Sequence, residues 1–484
     1  MKHFDVIIVG AGLSGIGAAV HLKRACPGKT FTIFESRSAI GGTWDLFRYP
    51  GIRSDSDMFT LGYSFKPWRE EKAIADGPSI LRYVKETATE NGLDASIRFR
   101  HRVVSASWST PNARWTIEVD VTTDDGGTRR ETFTCGFFYV CAGYYDYEKG
   151  FTPAFPGCDR FGGRIVHPQL WTDDIEYEGK KVIVIGSGAT AVTLVPELAK
   201  KAAHVTMLQR SPTYVFSRPA EDKTANWMRD RFPAHLAYGI TRWKNVALGM
   251  LFFQMSRRRP EKMKAWLRKM VRDGVGPAVD VDKHFNPRYN PWDQRVCLIP
   301  DGDLWEVLKS GRAAIVTDTI ETFTERGIKL TSGEELDADL IVTATGLKLQ
   351  FMGAATVVVD GQSIHPSNTM NYKGSMFSDI PNMVCTFGYT NASWTLKADL
   401  VADFVCRLLQ YMDKRGYKQC VPRRLDPSVH EEPFVDFSSG YVQRALGELP
   451  KQGSKMPWKL YQNYALDILM LRLASVDDGT LRFS

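Results

Sequence analysis

No Cys-x-x-Cys or Cys-x-x-x-x-Cys pair occurs among the eight cysteines of this 484-residue chain. That absence excludes both a cysteine zinc site and the paired dithiol of a disulfide reductase, and leaves buried thiols in a reducing compartment. The nine histidines form no His-x-x-x-His or His-Glu-x-x-His arrangement, so no metal is expected. Apolar runs are short: the longest, residues 246–255, is interrupted by Gly249 and Gln254 and falls well below the ~20 residues that span a bilayer. Low-complexity tracts and solenoid repeats are missing as well. The net charge of +7 is too small for a nucleic-acid footprint, although it favours phosphorylated cofactors or weak contact with acidic lipid. The first strand starts by residue 4, which leaves no room for a signal or transit peptide, and a cytoplasmic location is expected.

What is present is a pair of nucleotide fingerprints. Gly10-Ala11-Gly12-Leu13-Ser14-Gly15 follows an apolar strand over residues 4–9, and Gly186-Ser187-Gly188-Ala189-Thr190-Ala191 follows another over residues 182–185. Glycines at Gly10, Gly12, Gly15, Gly186 and Gly188 let the backbone turn and approach a pyrophosphate, whose charge meets the free N–H groups opening the next helix, at Ala189 and Thr190 in the second copy. The two sites differ one strand later. Residues 31–34 end in Glu35, a carboxylate suited to ribose hydroxyls and hostile to a 2'-phosphate, so the first site takes FAD or NAD. Residues 204–208 end in Gln209-Arg210-Ser211, where a guanidinium can fork onto a 2'-phosphate, so the second site suits NADPH. The alternative for Arg210 is a solvated surface arginine.

The expected fold class is α/β, with two Rossmann-like dinucleotide-binding domains and a helical insertion. The first domain comprises residues 1–148 and 350–484, the second residues 149–214 and 291–349, and the insertion residues 215–290. Strands over residues 97–108 and 115–121 read as a small antiparallel insertion ahead of the turn at 124–127, and residues 396–412 read as a long helix. Apolar strands ending at Ala142-Gly143 and Thr345-Gly346 are expected crossings between the domains. The insertion carries ten lysines and arginines between Arg242 and Arg272, interleaved with Trp243, Phe252, Phe253 and Trp266. Such a segment fits a membrane surface, a cover over a substrate cavity, or a packed layer with a solvated basic face.

Just past Glu35 stands Gly41-Gly42-Thr43-Trp44, continuing to Tyr49-Pro50-Gly51-Ile52-Arg53-Ser54-Asp55, and before the second fingerprint stands Phe161-Gly162-Gly163, leading to His167 and Trp171. These two stretches resemble the paired signatures of Baeyer–Villiger monooxygenases, the class B flavoprotein monooxygenases. The first matches at every position, while the second departs at Thr172, where the family usually has Pro or Asp. The resemblance implies FAD in the first domain and NADPH in the second. It also implies that O2 adds at the flavin C4a position to give a peroxyflavin that converts ketones to esters or lactones, with sulfide and thioamide oxidation beside it. Restriction to N- or S-oxygenation is the alternative. By the same resemblance Arg295 is the catalytic arginine, with Asp55 ion-paired to it; a permanently charged guanidinium stabilises developing negative charge without donating its proton. Gly42, Thr43, Trp44 and Asp55 are expected at the cofactor, although the Trp44 ring also suits core packing. Gln294 replaces a lysine that many relatives use on the 2'-phosphate, which leaves Arg210 as the main discriminator. His167 reads equally as a coupler of the two domains or as a hydrogen-bonded structural residue.

Overall fold

The computed structural model describes residues 1–484 and holds two large sheets, one mixed and one all parallel, each grown around one glycine fingerprint. Strand β1 (Lys2–Val9) runs into the first fingerprint, α1 (Leu13–Ala25) leaves it, and β2 (Phe31–Phe34) returns parallel to β1. Along β1 successive side chains point to opposite faces: Val6 and Ile8 join one core and Ile7 another. A sheet covered on both sides needs this continuous apolar run. Strand β3 (Ile97–Arg98) extends the edge beside β2, β4 (His101–Ser109) and β5 (Arg114–Thr122) pair antiparallel, and β6 (Thr128–Val140) joins them to β1.

The single strand read over residues 97–108 is therefore two. Arg100 sits at φ +58°, a left-handed conformation that ends one strand and starts another with a different partner. The N–H of His101 then donates to the Glu35 carbonyl at 2.8 Å, which ties this break to the end of β2. Nor is the hairpin separate from the nucleotide sheet, because the thirteen residues of β6 pair first with β5 and then with β1.

The second sheet contains β7 (Arg164–Val166), β8 (Lys181–Ile185), β9 (His204–Gln209), β12 (Ala313–Thr317) and β13 (Leu340–Thr343), in the order β12-β9-β8-β13-β7 and all parallel. Helix α2 (Ala189–Leu198) follows its fingerprint. Between β10 (Val215–Arg218) and its parallel partner β11 (Cys297–Pro300) the chain makes two long helices, α3 (Ala234–Arg258) and α4 (Pro260–Val275). No helix is long and apolar enough to cross a membrane. After β13 the chain returns to the first sheet: β14 (Thr356–Val359) pairs with β4, β15 (Gln362–Ile364) with β14, and β16 (Met383–Cys385) with β6. Helix α5 (Trp394–Arg415) packs on α1.

Candidate active site

At the first fingerprint Gly10 has φ +99°, and a Cβ there would lie 2.6 Å from the Cys141 carbonyl oxygen. A Cβ on Gly15 would lie 1.8 Å from the Gly10 carbonyl oxygen, so only glycine lets α1 pack this close. No side chain caps the N-terminus of α1 and no acid sits in its first turn, which leaves its amide groups free for an anion. Glu35 is buried and accepts the N–H groups of Ala11 at 2.8 Å and Arg37 at 2.9 Å. Burial pushes its carboxyl up against those donors and the Arg37 charge. Gly42, at φ +56°, closes on Gly12, and the Thr43 hydroxyl pairs with the Tyr145 hydroxyl at 2.7 Å. Trp44 is half-buried against the largest core, as its ring chemistry allowed.

The second fingerprint repeats the design. Gly186, at φ +133°, would put a Cβ 2.3 Å from the Ala344 carbonyl oxygen, so in both units the first glycine packs against the strand end where the chain crosses to the other. Gly188 faces open space, Ala189 and Thr190 begin α2 without a capping side chain, and Ala191 is fully buried where the first copy has Gly15. At the end of β9, Gln209 is held by donating to the His284 carbonyl and the Thr317 hydroxyl, each at 2.8 Å. Arg210 is exposed.

Arg295 and Asp55 come from different units and meet at 2.6 Å, with side chains 38% and 28% exposed. The Asp55 carboxylate raises the hold of Arg295 on its proton further, so the guanidinium remains a fixed cation. Around it lie Tyr144 and Tyr441, whose phenols burial pushes up, and Cys297, whose thiol burial pushes up to about 12. At that value Cys297 is no nucleophile. The loop before Arg295 is tied down at Asp293. Its carboxylate accepts from Arg257 at 2.7 Å and from the Asn290 N–H at 3.0 Å, and its carbonyl accepts the Ser438 N–H at 2.8 Å. Gln294 lies half-buried in the same loop. Trp292 adopts φ +72°, costly for a bulky residue, with its ring edge-on to Phe253 at 5.8 Å.

Sequence reading missed the aromatic chain that leads from the first fingerprint to this pair. Trp394 Nε1 donates to the Ser14 hydroxyl at 2.7 Å, and its ring stacks on Tyr144, 5.1 Å away, in the field of Arg295. The only signal for Tyr144 was its place after the strand end at Gly143. Nothing in the sequence marked Trp394 or Tyr441, because their contacts join segments hundreds of residues apart.

In the other signature, Phe161 and Trp171 are buried, and a Cβ on Gly163 would lie 2.5 Å from the Asp339 carbonyl oxygen. His167 Nε2 donates to the Gly346 carbonyl at 3.1 Å while Nδ1 accepts the Gln169 N–H at 3.2 Å. That pattern requires a neutral ring, and burial lowers its pKa in the same direction. Gly150 lies against the imidazole so closely that a Cβ would fall 2.0 Å from it. The Gly346 carbonyl accepts also from the Phe151 N–H at 3.0 Å, so His167 clasps the two connecting segments together.

A model of the flavin-binding monooxygenase-like family matches residues 3–242. The chain is 54% identical over 484 residues to the FAD-containing monooxygenase EthA of Mycolicibacterium smegmatis, covering 100% of this chain and 97% of that one. Among solved structures, an oxidized steroid monooxygenase bound to NADP superposes with a TM-score of 0.77 at 24% identity, covering 100% and 99% of the two chains. An ε-caprolactone-bound cyclohexanone monooxygenase gives a TM-score of 0.75 at 19% identity, covering 100% of each chain.

Proposed function

Since the chain belongs to the flavin-binding monooxygenase-like family and is a flavin-dependent monooxygenase, we propose that it uses FAD, NADPH and O2 to convert ketones to esters or lactones and also oxidises sulfides and thioamides. The observation that carries this reading is the Arg295–Asp55 pair, a charged donor that cannot lose its proton, set between two nucleotide fingerprints of opposite character.

The residues fit both cofactors. The uncapped N-terminus of α1 with Gly12 would hold the FAD pyrophosphate, and Glu35 retains lone pairs for the ribose hydroxyls. The N-terminus of α2 and the exposed Arg210 would hold the NADPH phosphates. Bound there, FAD would pass two electrons from NADPH to O2, which furnishes the inserted oxygen atom and releases the other as water. Arg295 directs N–H donors at the oxygen that gains charge, and Asp55 keeps the guanidinium plane in one orientation. The buried phenols of Tyr144 and Tyr441 remain protonated through the neutral range and help exclude water.

Product analysis tests the reading. With NADPH and O2, a simple methyl ketone should yield its ester and a thioether its sulfoxide. Sulfoxide without any ester would replace the proposal with an enzyme restricted to soft nitrogen and sulfur atoms.

A further inference from the structure

Helix α3 buries an unusually polar face. It carries Tyr238, Thr241, Arg242, Asn245 and Ser256, with only Ala237 and Val246 apolar and aliphatic beside them. Arg242 donates to the carbonyls of Phe59 and Gly62, both at 2.8 Å, and lies 3.4 Å from the buried Asp399; Asn245 donates to Asp57 at 2.9 Å. The face turned to solvent is apolar: Leu236, Ile240, Trp243, Leu248, Leu251 and Met255 are each about half exposed. Their positions recur at the spacing of one helix side, and they form a stripe about 29 Å long at 1.5 Å per residue. Of the seventeen large apolar side chains exposed in the molecule, nine lie between Trp227 and Trp266. A solvated monomer rarely leaves so long an apolar stripe uncovered.

Charge decides what covers it. Residues 223–272 contain thirteen lysines and arginines against two acids; seven of the thirteen are ion-paired, and Lys223, Arg229, Arg231, Arg258, Arg259 and Lys262 are left without an acidic partner. Arg258 continues the stripe at its C-terminal end, and the exposed Arg259 and Lys262 follow it. A second copy meeting this face across a two-fold axis would bring like charge onto like charge. A bilayer carrying anionic headgroups satisfies both features, since the apolar side chains enter the acyl boundary and the guanidinium and ammonium groups meet phosphates. We propose that α3 and the start of α4 form a docking surface for an anionic lipid membrane, on which the protein rests without spanning it. The inference does not depend on which substrate the enzyme oxygenates.

The test is co-sedimentation of the FAD-loaded full chain with vesicles of phosphatidylcholine alone and of phosphatidylcholine with an equal part of phosphatidylglycerol. Binding to the anionic vesicles should be stronger by about 10-fold to 100-fold and should weaken in high salt. Leu248→Asp combined with Leu251→Asp should abolish binding while FAD content and lipid-free NADPH oxidation stay at the wild-type level. Arg258→Glu with Arg259→Glu, which leaves the stripe intact, should remove the preference for the anionic vesicles. The proposal is overturned if the wild type stays in the supernatant with both vesicles or if both variants pellet like the wild type. It is equally overturned if the leucine variant leaves vesicle binding unchanged and instead splits a lipid-free dimer into monomers.

Discussion

Arg295 shows why a residue's chemistry was easier to read than its surroundings. The resemblance pointed to Arg295 with Asp55 as its partner, a guanidinium suits a task that needs a fixed charge beside a developing anion, and the structure sets the two side chains 2.6 Å apart. Arg295→Ala should retain FAD and measurable NADPH oxidation while ester formation falls by about 100-fold to 1000-fold, the loss that follows removal of a fixed oxyanion donor. Gas chromatography of the products beside a peroxide assay separates the two activities, and a normal ester yield would remove Arg295 from the chemistry. Arg210 sets a second test. With Gln294 uncharged, Arg210→Ala should cut the NADPH-over-NADH ratio of kcat/KM by about tenfold, while an unchanged ratio assigns the 2'-phosphate elsewhere. Tyr144, Tyr441 and Trp394 were illegible because aromatic side chains carry no periodic or spacing signal for a partner far along the chain. Only folding brings Ser14 under Trp394 and Trp394 onto Tyr144.

Among the elements, both strand–turn–helix units could be read because each obeys a local rule, with an apolar run, a glycine turn and a polar strand end in fixed order. The expected long helix over residues 396–412 became α5, extended by a few residues at each end. The strand over residues 97–108 was misread because Arg100 at φ +58° is a turn with no glycine to announce it. The basic insertion was left open between a membrane surface, a cavity cover and a solvated basic face. Six of its ten lysines and arginines between Arg242 and Arg272 are exposed, yet Arg242 turns inward to backbone carbonyls and Asp399, and an apolar stripe turns out beside the exposed charges. Composition gives the residues of a helix but not which side has polar partners waiting. At this scale Gly186→Ala should weaken NADPH binding by at least about tenfold, because a Cβ meets the Ala344 carbonyl oxygen at 2.3 Å, and should leave FAD bound. Titration of NADPH into the yellow holoenzyme measures it, and an unaltered Kd would show that the turn relaxes without consequence.

Across the whole molecule, α1, α3 and α5 are joined by one buried charge cluster. His21 contacts Asp399 at 3.2 Å and Asp403 at 3.0 Å, Arg242 reaches Asp399 from α3, and Arg472 pairs with Asp403. Burial opposes charge on His21, but hydrogen bonds and attraction from the two aspartates outweigh it and raise its pKa to about 9. A raised histidine stabilises the fold fully below its unfolded pKa of ~6.5 and loses that contribution as pH climbs through about 9. The wild type should therefore lose several degrees of Tm relative to His21→Gln over that interval, with the gap between them closing at the alkaline end. Parallel melting curves for the two proteins that keep a constant separation from neutral to alkaline pH would show that the cluster does not titrate there.

The clasp of His167 on Gly346 has a mechanical corollary. Since the Gly346 carbonyl takes hydrogens from both Phe151 and His167, the two covalent links between the nucleotide units act as a paired hinge pin. Pulling the two links apart has to break both bonds to a single oxygen, so neither link can shift without the other.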